Sequence, residues 1–406
     1  MKKTGIWVIV SVLVMGGVLI SAFECKAQTT TRAQKTLNIG VVAWFGWPMG
    51  LDMVHGVQVL ADMDNKDGGL TIGKDQYKVN LIMYDSQMDQ SKAVAAVNKL
   101  VFEDKVKFIV SGEVVPDPLI PITEANKVIL CSMSNTPTIC GPNIHYGFNV
   151  GLTEAMCAIT GWLAKNHPDQ IKNLVTTASD NLMGHSRADY ITRTIKAFGG
   201  KITPIFFPPG STDLSAIGTK VKALQPSLME PIGGPIDDGL AMTAAWKAGY
   251  RGPFLIEGTA PALTLLSVAP PEVLEGLICG AWPVEFDPAL TQTAKDFKAA
   301  WIAKYGKWEG AEIMGTSNYV CLRAALKQAG SLDTDKVAAA ISNGLKFEGP
   351  TGLMQMASRP DLGNNRTVEG IVGFIIKRIG GGKPVPIASL TLEEAAGYFY
   401  QVFAKK

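Results

Sequence analysis

From Leu37 onward, apolar runs rich in β-branched residues alternate with segments of helical spacing. LNIGVVA, VNLIMYD, VKFIVSG and VILCSM are continuously apolar, the pattern of strands covered on both faces of a parallel sheet. Between them, GLDMVHGVQVLADMDN, SKAVAAVNKLVFED and PLIPITEAN carry helical spacing or a helix-start signal, so strand and helix alternate. In the second of these helices Ala93, Val97 and Leu100 share one face, with Lys92, Asn98 and Lys99 turned away. A second series follows residue 150. NLVTTAS, ITPIFFP, SLMEPIGG and PFLIEGT predict strands, separated by the helices ADYITRTIKAFGG, LSAIGTKVKALQ and GLAMTAAWKAGY; the glycines after two of these fit a C-cap. Two α/β units in tandem imply two lobes. After Leu277 three helical segments, QTAKDFKAAWIAKYG, NYVCLRAALKQAG and TDKVAAAISNG, follow without a strand between them, and GIVGFIIKR supplies a late strand. Helices without a sheet of their own must return to an existing core, so the chain crosses between lobes more than once.

The first 27 residues stand apart from this pattern. Lys2 and Lys3 precede an apolar run from Gly5 to Ala22 and a small-x-small site at Cys25-Lys26-Ala27, the plan of a secretory signal peptide cleaved near Ala27. An uncleaved anchor is the competing reading, since the run is just long enough to span a bilayer. Cleavage removes Lys2, Lys3, Lys26 and Glu24, which takes the formal charge of +2 to zero. A neutral chain without a basic block argues against nucleic acid as a partner. With 406 residues, 47% of them hydrophobic, the chain is globular and large enough for two domains.

Catalytic motifs are weak. GHSRA at 184–188 approximates a nucleophile elbow, but the preceding strand ends near Ala178 and a helix is under way by Ala188, whereas the elbow needs its serine directly off a strand. DMDNKDGG has Asp67 and Gly73 where a calcium loop needs Gly and Glu. His55, His145, His167 and His185 lack metal-ligand spacing, and neither a Walker loop nor a dinucleotide fingerprint is present, so no metal, no cofactor and no enzymatic activity are expected. Five cysteines lie beyond the leader; Cys131 and Cys140 bracket a loop that a disulfide would close, with buried free thiols as the alternative.

What recurs is decoration at strand ends. Trp44, Phe45 and Trp47 follow the first strand, Ser111-Gly112-Glu113 the third, Ser132, Ser134, Asn135 and Thr136 the fourth, and Glu257-Gly258-Thr259 the strand PFLI. Each alone suits a turn or cap. Together they mark the carboxyl edge of a parallel sheet, where α/β folds meet small ligands.

The segments NIGVVAWFGWPMGLDMVHGVQVLADMDNKDGGL, MYDSQMDQSKAVAAVNKL, CSMSNTP, DNLMGHSRADYITRTIKAFGGKI and FEGPTGLMQM, in this order, resemble the periplasmic solute-binding proteins of ABC importers, in the branch of the leucine/isoleucine/valine-binding protein. The resemblance implies an α/β fold of two doubly wound parallel-sheet lobes joined by a three-strand hinge, with the ligand in the cleft between them. It places lobe I at 36–150 plus 282–346 and lobe II at 151–281 plus 347–406, with crossovers near 149–152, 279–283 and 347–351. It implies a monomer in the periplasm that delivers a small-molecule ligand to a membrane permease; a soluble ligand-sensing receptor of the same fold is the alternative.

By the same resemblance the ligand's carboxylate is gripped by Ser111, Gly112 and Glu113 and by Ser134, Asn135 and Thr136, and its ammonium by Glu257. Met183, Ile236 and Asp237 stand where relatives carry aromatic residues, Trp44 and Trp47 add bulk to the first-lobe wall, and Glu113 is an acid where a hydroxyl is expected. These departures widen the expected ligands from leucine-like amino acids to aromatic or other hydrophobic carboxylates and amides.

Overall fold

In a computed structural model, which describes residues 34–151, 154–259, 265–308, 313 and 315–404, the run KTLNIGVVA forms β1 (Lys35–Ala43), buried along its second half. Pro48 ends the turn after it and starts α1 (Pro48–Lys66), since proline tolerates the first helical position, where its missing N–H would be unpaired anyway. The first lobe continues through β2 (Leu70–Ile72), β3 (Asp75–Asp85), α2 (Gln90–Phe102), β4 (Phe108–Ser111), α3 (Ile120–Ala125), β5 (Ile129–Ser132) and β6 (Gly147–Asn149). The Asp89 side chain caps α2 by accepting from Lys92 N at 2.9 Å.

The chain then builds a second sheet. It runs through α4 (Cys157–Asn166), β7 (Asn173–Ser179), α5 (Leu182–Ala197), β8 (Lys201–Phe207), α6 (Ser215–Leu224), β9 (Leu228–Pro231), α7 (Pro235–Lys247), β10 (Leu255–Thr259) and β11 (Ile278–Ala281). Next, α8 (Gln292–Tyr305) packs on α1, and α9 (Thr316–Ala329) and α10 (Thr334–Ser342) cover the first sheet. The strands β12 (Lys346–Gly349), β13 (Gly352–Arg359) and β14 (Asn364–Val372) extend that same sheet. Only β15 (Ile375–Gly380), β16 (Lys383–Ser389) and α11 (Leu392–Phe403), which packs on α4, return to the second lobe.

The first sheet has nine strands in the order β12-β13-β14-β6-β5-β4-β1-β3-β2. Its centre is parallel, with β1 between β3 and β4, and its edges are antiparallel. The second lobe holds the parallel trio β8-β7-β9 and the mixed set β10-β11-β15-β16, linked by a parallel bridge between Met229 and Phe254. The molecule is therefore α/β with two lobes, but its sheets are mixed rather than wholly parallel.

Several elements differ from the sequence reading. The expected late strand GIVGFIIKR is two strands in two different sheets, broken at Gly373, so by sheet membership the third passage falls at 373–374 rather than near 347–351. A Cβ on Gly373 would sit 2.9 Å from Leu390 O, so the chain passes there in direct contact with the segment leading into α11. Helices α4 and α11 and the short strands β2, β6 and β11 were not expected. All five cysteines beyond the leader are buried, Cys131 and Cys140 form no disulfide with each other, and the loop between these two is instead held by the turn Pro137–Cys140. The expected leader at 1–27 and the first crossover's Leu152 lie outside the described residues. No helix among the described residues is long and apolar enough to cross a membrane.

Candidate functional site

Strand order fixes where a ligand can enter. In the first sheet the order reverses at β1, the chain passing from β1 to β3 on one side and then from β3 back across to β4 on the other; in the second it reverses at β7, between β8 and β9. A crevice opens at such points, at the strands' carboxyl ends. There the structure has a cleft of about 440 Å³, within the usual range for small-molecule sites. Trp44, Glu113 and Asn135 line it from the first lobe, and Ser179, Pro231 and Glu257 from the ends of β7, β9 and β10.

The first-lobe wall is rigid for a traceable reason. Trp44 follows the last residue of β1 and is 5% exposed. Its indole Nε1 donates to Glu113 Oε2 at 2.9 Å, and the Ser86 hydroxyl donates to Glu113 Oε1. Burial pushes the Glu113 carboxyl above its ordinary pKa, the two hydrogen bonds opposing this. Glu113 thus fixes a ring, and its oxygens are already occupied. Gly50 lets α1 turn beneath this ring, because a Cβ there would lie 2.2 Å from Trp44 O. Trp47 lines the cleft too, while Phe45 packs against the core and donates its backbone N–H to Asp85 at 3.0 Å.

Other expected groups turn inward. Ser111 is fully buried and accepts from Glu113 N at 3.1 Å. Gly112 packs on α1, where a Cβ would meet Met53 Sδ at 2.7 Å. The Ser134 hydroxyl bonds within its own loop to Thr136 O at 2.8 Å, and Thr136 Oγ1 donates to Asp117 at 2.5 Å. None of these four lines the cleft. Asn135 does, and reaches across it: Asn135 O accepts from Ser186 Oγ at 2.7 Å and its Oδ1 from Arg187 at 3.4 Å. Ser186 lies inside α5, whose N-cap is Asn181, and its hydroxyl bridges the lobes.

On the second lobe Met183, Ile236 and Asp237 line the cleft. The Ser179 hydroxyl donates to Asp237 at 3.1 Å, and burial raises the Asp237 carboxyl. Glu257, 1% exposed, accepts from Thr160 Oγ1 at 2.5 Å through Oε1, whereas its Oε2 has no hydrogen-bond partner. Burial pushes its pKa up to about 7, against the opposing Thr160 and Tyr190 hydroxyls and the Arg187 charge. Glu230 lies behind it, fully buried, accepting from Glu257 N at 3.1 Å. Asp238 is likewise pushed by burial to about 7 and accepts from Gly233 N at 2.7 Å.

Sequence reasoning missed Arg187, the cleft's one basic side chain among the described residues, and the methionines Met49, Met88, Met133 and Met156, which with Met183 give it a pliable apolar lining. The signal was present in DNLMGHSRA: an arginine in the first turns of a helix that starts at the cleft. No group of three His, Cys, Asp or Glu side chains among the described residues is arranged to hold a metal ion.

The family model described as periplasmic binding protein matches residues 40–369. The chain belongs to this family. Solved periplasmic binding proteins share its fold. The leucine-binding protein of Thermotoga maritima is 22% identical, with 88% of this chain and 99% of that one covered and a TM-score of 0.70. A solute-binding protein of an ABC transporter from Rhodopseudomonas palustris, in complex with 3,4-dihydroxybenzoic acid, is 19% identical, covers 88% and 98%, and has a TM-score of 0.69. A branched-chain amino acid ABC transporter ligand-binding protein from Burkholderia xenovorans is 20% identical, covers 89% and 97%, and has a TM-score of 0.68. Among curated protein sequences none matches this periplasmic binding protein.

Proposed function

We propose that this chain is the extracytoplasmic solute-binding component of an ABC transporter, exported by a leader cleaved near Ala27 and acting as a monomer. It captures a hydrophobic or aromatic carboxylate, a small apolar amino acid, or a related amide, and hands it to a membrane permease. The observation that carries this is the cleft: about 440 Å³ between the carboxyl ends of two sheets, walled by Trp44, Trp47 and five methionines, with a few polar groups aimed inward. Leucine and 3,4-dihydroxybenzoic acid in the names of the solved relatives are consistent with an apolar body bearing a carboxylate. The passages at 149–157, 281–292 and 373–374 serve as the hinge, and closure expels water from the cleft. Micromolar binding corresponds to about 8 kcal/mol, within reach of such a site.

The test is a thermal-shift screen of the purified protein against leucine, phenylalanine, benzoate, 3,4-dihydroxybenzoate and the matching amides, followed by calorimetry. At a hundredfold excess over Kd, a true ligand adds about 2.7 kcal/mol of stability and raises the melting temperature by several degrees. Trp44→Ala should weaken the best ligand at least about tenfold, from the apolar area it removes. Absence of any stabilising compound, or full affinity in Trp44→Ala, refutes the assignment.

A further inference from the structure

We propose that Arg187 holds the anionic end of the ligand, so that a hydrophobic monocarboxylate is gripped from the second lobe while its apolar body rests on the first. This deepens the solute-binding reading above and rests on it. It reverses the arrangement that the family resemblance implies, in which first-lobe loops take the carboxylate.

Three observations carry it. The first is that Arg187 is unsatisfied. Its Nε is buried without a hydrogen-bond partner, and no carboxylate among the described residues forms an ion pair with it. Its one hydrogen bond among the described residues, Nη1 to Asn135 Oδ1 at 3.4 Å, is long. A guanidinium presents a fixed fork of donors, and a buried donor without an acceptor is costly, so an incoming carboxylate supplies what the site lacks.

The second is that the first lobe has nothing comparable to offer. Ser134 and Thr136 spend their hydroxyls on their own loop and on Asp117, and Ser111 on Glu113 N. Glu113 brings two acceptor oxygens, both taken by Ser86 and Trp44, and among the described residues no cation lines that wall. What the first lobe does present is Trp44, Trp47, Met49 and Met88, a surface for an aromatic or branched body.

The third concerns the acids around Arg187. Glu230, Asp238 and Glu257 feel its charge but none is paired with it, and their burial favours the protonated form. A carboxylic acid donates a hydrogen bond instead of repelling an anion. Glu257 Oε2, unpartnered in the cleft, can then meet the ligand's second oxygen or a neighbouring polar group. An ammonium on the ligand is dispensable in this arrangement.

The experiment is calorimetric titration of the purified protein with two isosteric pairs, benzoate against benzamide and 3-phenylpropionate against 3-phenylpropionamide, for the wild type, Arg187→Gln and Arg187→Lys. The wild type should prefer the acid in at least one pair. Arg187→Gln should lose about 30-fold or more in affinity for that acid and with it the preference over the amide, while Arg187→Lys, which keeps the charge without the fork, should fall in between. Acid affinity within threefold of wild type in Arg187→Gln, or a wild type that prefers the amide in both pairs, overturns the proposal and leaves the solute-binding reading intact. Should Arg187→Gln not fold, Arg187→Lys decides alone: a fall of about fivefold or more supports the proposal and an unchanged affinity refutes it. A wild type that binds none of the four probes, and no amino acid, overturns the reading of the cleft itself and this inference with it.

Discussion

Glu257 shares its pocket with Thr160 on α4, Tyr190 and Arg187 on α5, Glu230 on β9 and Asp238 on α7, and water reaches only 1% of its surface. Its carboxyl, ordinarily near 4.5, is raised by burial to about 7, and that of Asp238 from 3.8 to about 7. For an acid raised in this way the folded state keeps a proton that the unfolded chain has lost, so stability falls as pH rises through the window between the two values. The melting temperature of the ligand-free protein should therefore drop by several degrees between pH 5 and pH 8, equivalent to about 1–3 kcal/mol once the acids' mutual coupling is allowed for. Glu257→Gln should flatten that slope, raising the melting temperature at pH 8 and leaving it nearly unchanged at pH 5; a wild-type melting temperature that climbs across the range contradicts this. Glu257 could be singled out in LIEGTA only through the family resemblance, since an acid after an apolar strand equally suits a turn or cap. Arg187 was missed although DNLMGHSRA held the signal, because an arginine within a helical run ordinarily faces water, and only its place in the first turns of α5 brings it to the cleft. Ser111, Ser134 and Thr136 misled for the opposite reason: short hydroxyl side chains serve their own turns first.

The junction of β1 and α1 shows how an element positions a wall. Trp44 is held by Glu113 from the side and by Gly50 from below. Gly50→Ala should cost about 2 kcal/mol and displace the ring, because its methyl would lie 2.2 Å from a backbone oxygen that cannot yield without moving the turn. Gly46→Ala, where nothing lies within 4 Å of the added Cβ, should leave stability within about 0.5 kcal/mol of wild type. Urea unfolding and ligand calorimetry on the two variants check both statements, and equal effects would refute the account. The buried central strands were legible from continuous apolar runs, but β2 and β16 were not, since β2 is only three residues between glycine-containing turns and β16 carries two prolines, both at sheet edges. The strand pair β14–β15 was misread as one because both halves are apolar and only Gly373 marks the break.

Across the whole molecule, the two lobes are tied near the passages by a buried charge network. Arg359, 1% exposed on β13, meets Glu154, Asp361 at 3.0 Å and Glu369 at 3.3 Å; Asp361 also accepts from Arg193 of α5 at 2.8 Å, and Glu369 from Asn149 at 3.1 Å. Arg359→Met, which roughly keeps the volume, strands Glu154 and Glu369 without their cation and should cost about 3–5 kcal/mol. A urea-unfolding loss below about 1 kcal/mol would show that the network adds little. Two lobes and repeated crossing were legible from the two series of alternating elements, whereas the third passage was not, because β12–β14 carry no sign of which sheet they join. The cleft's methionines have one more effect at this scale. Met88 is 55% exposed at the cleft, beside the more sheltered Met49 and Met183. Peroxide turns such a thioether into a polar sulfoxide, and reductase repair reverses it, so oxidation would make this wall of the cleft wettable, and reversibly so.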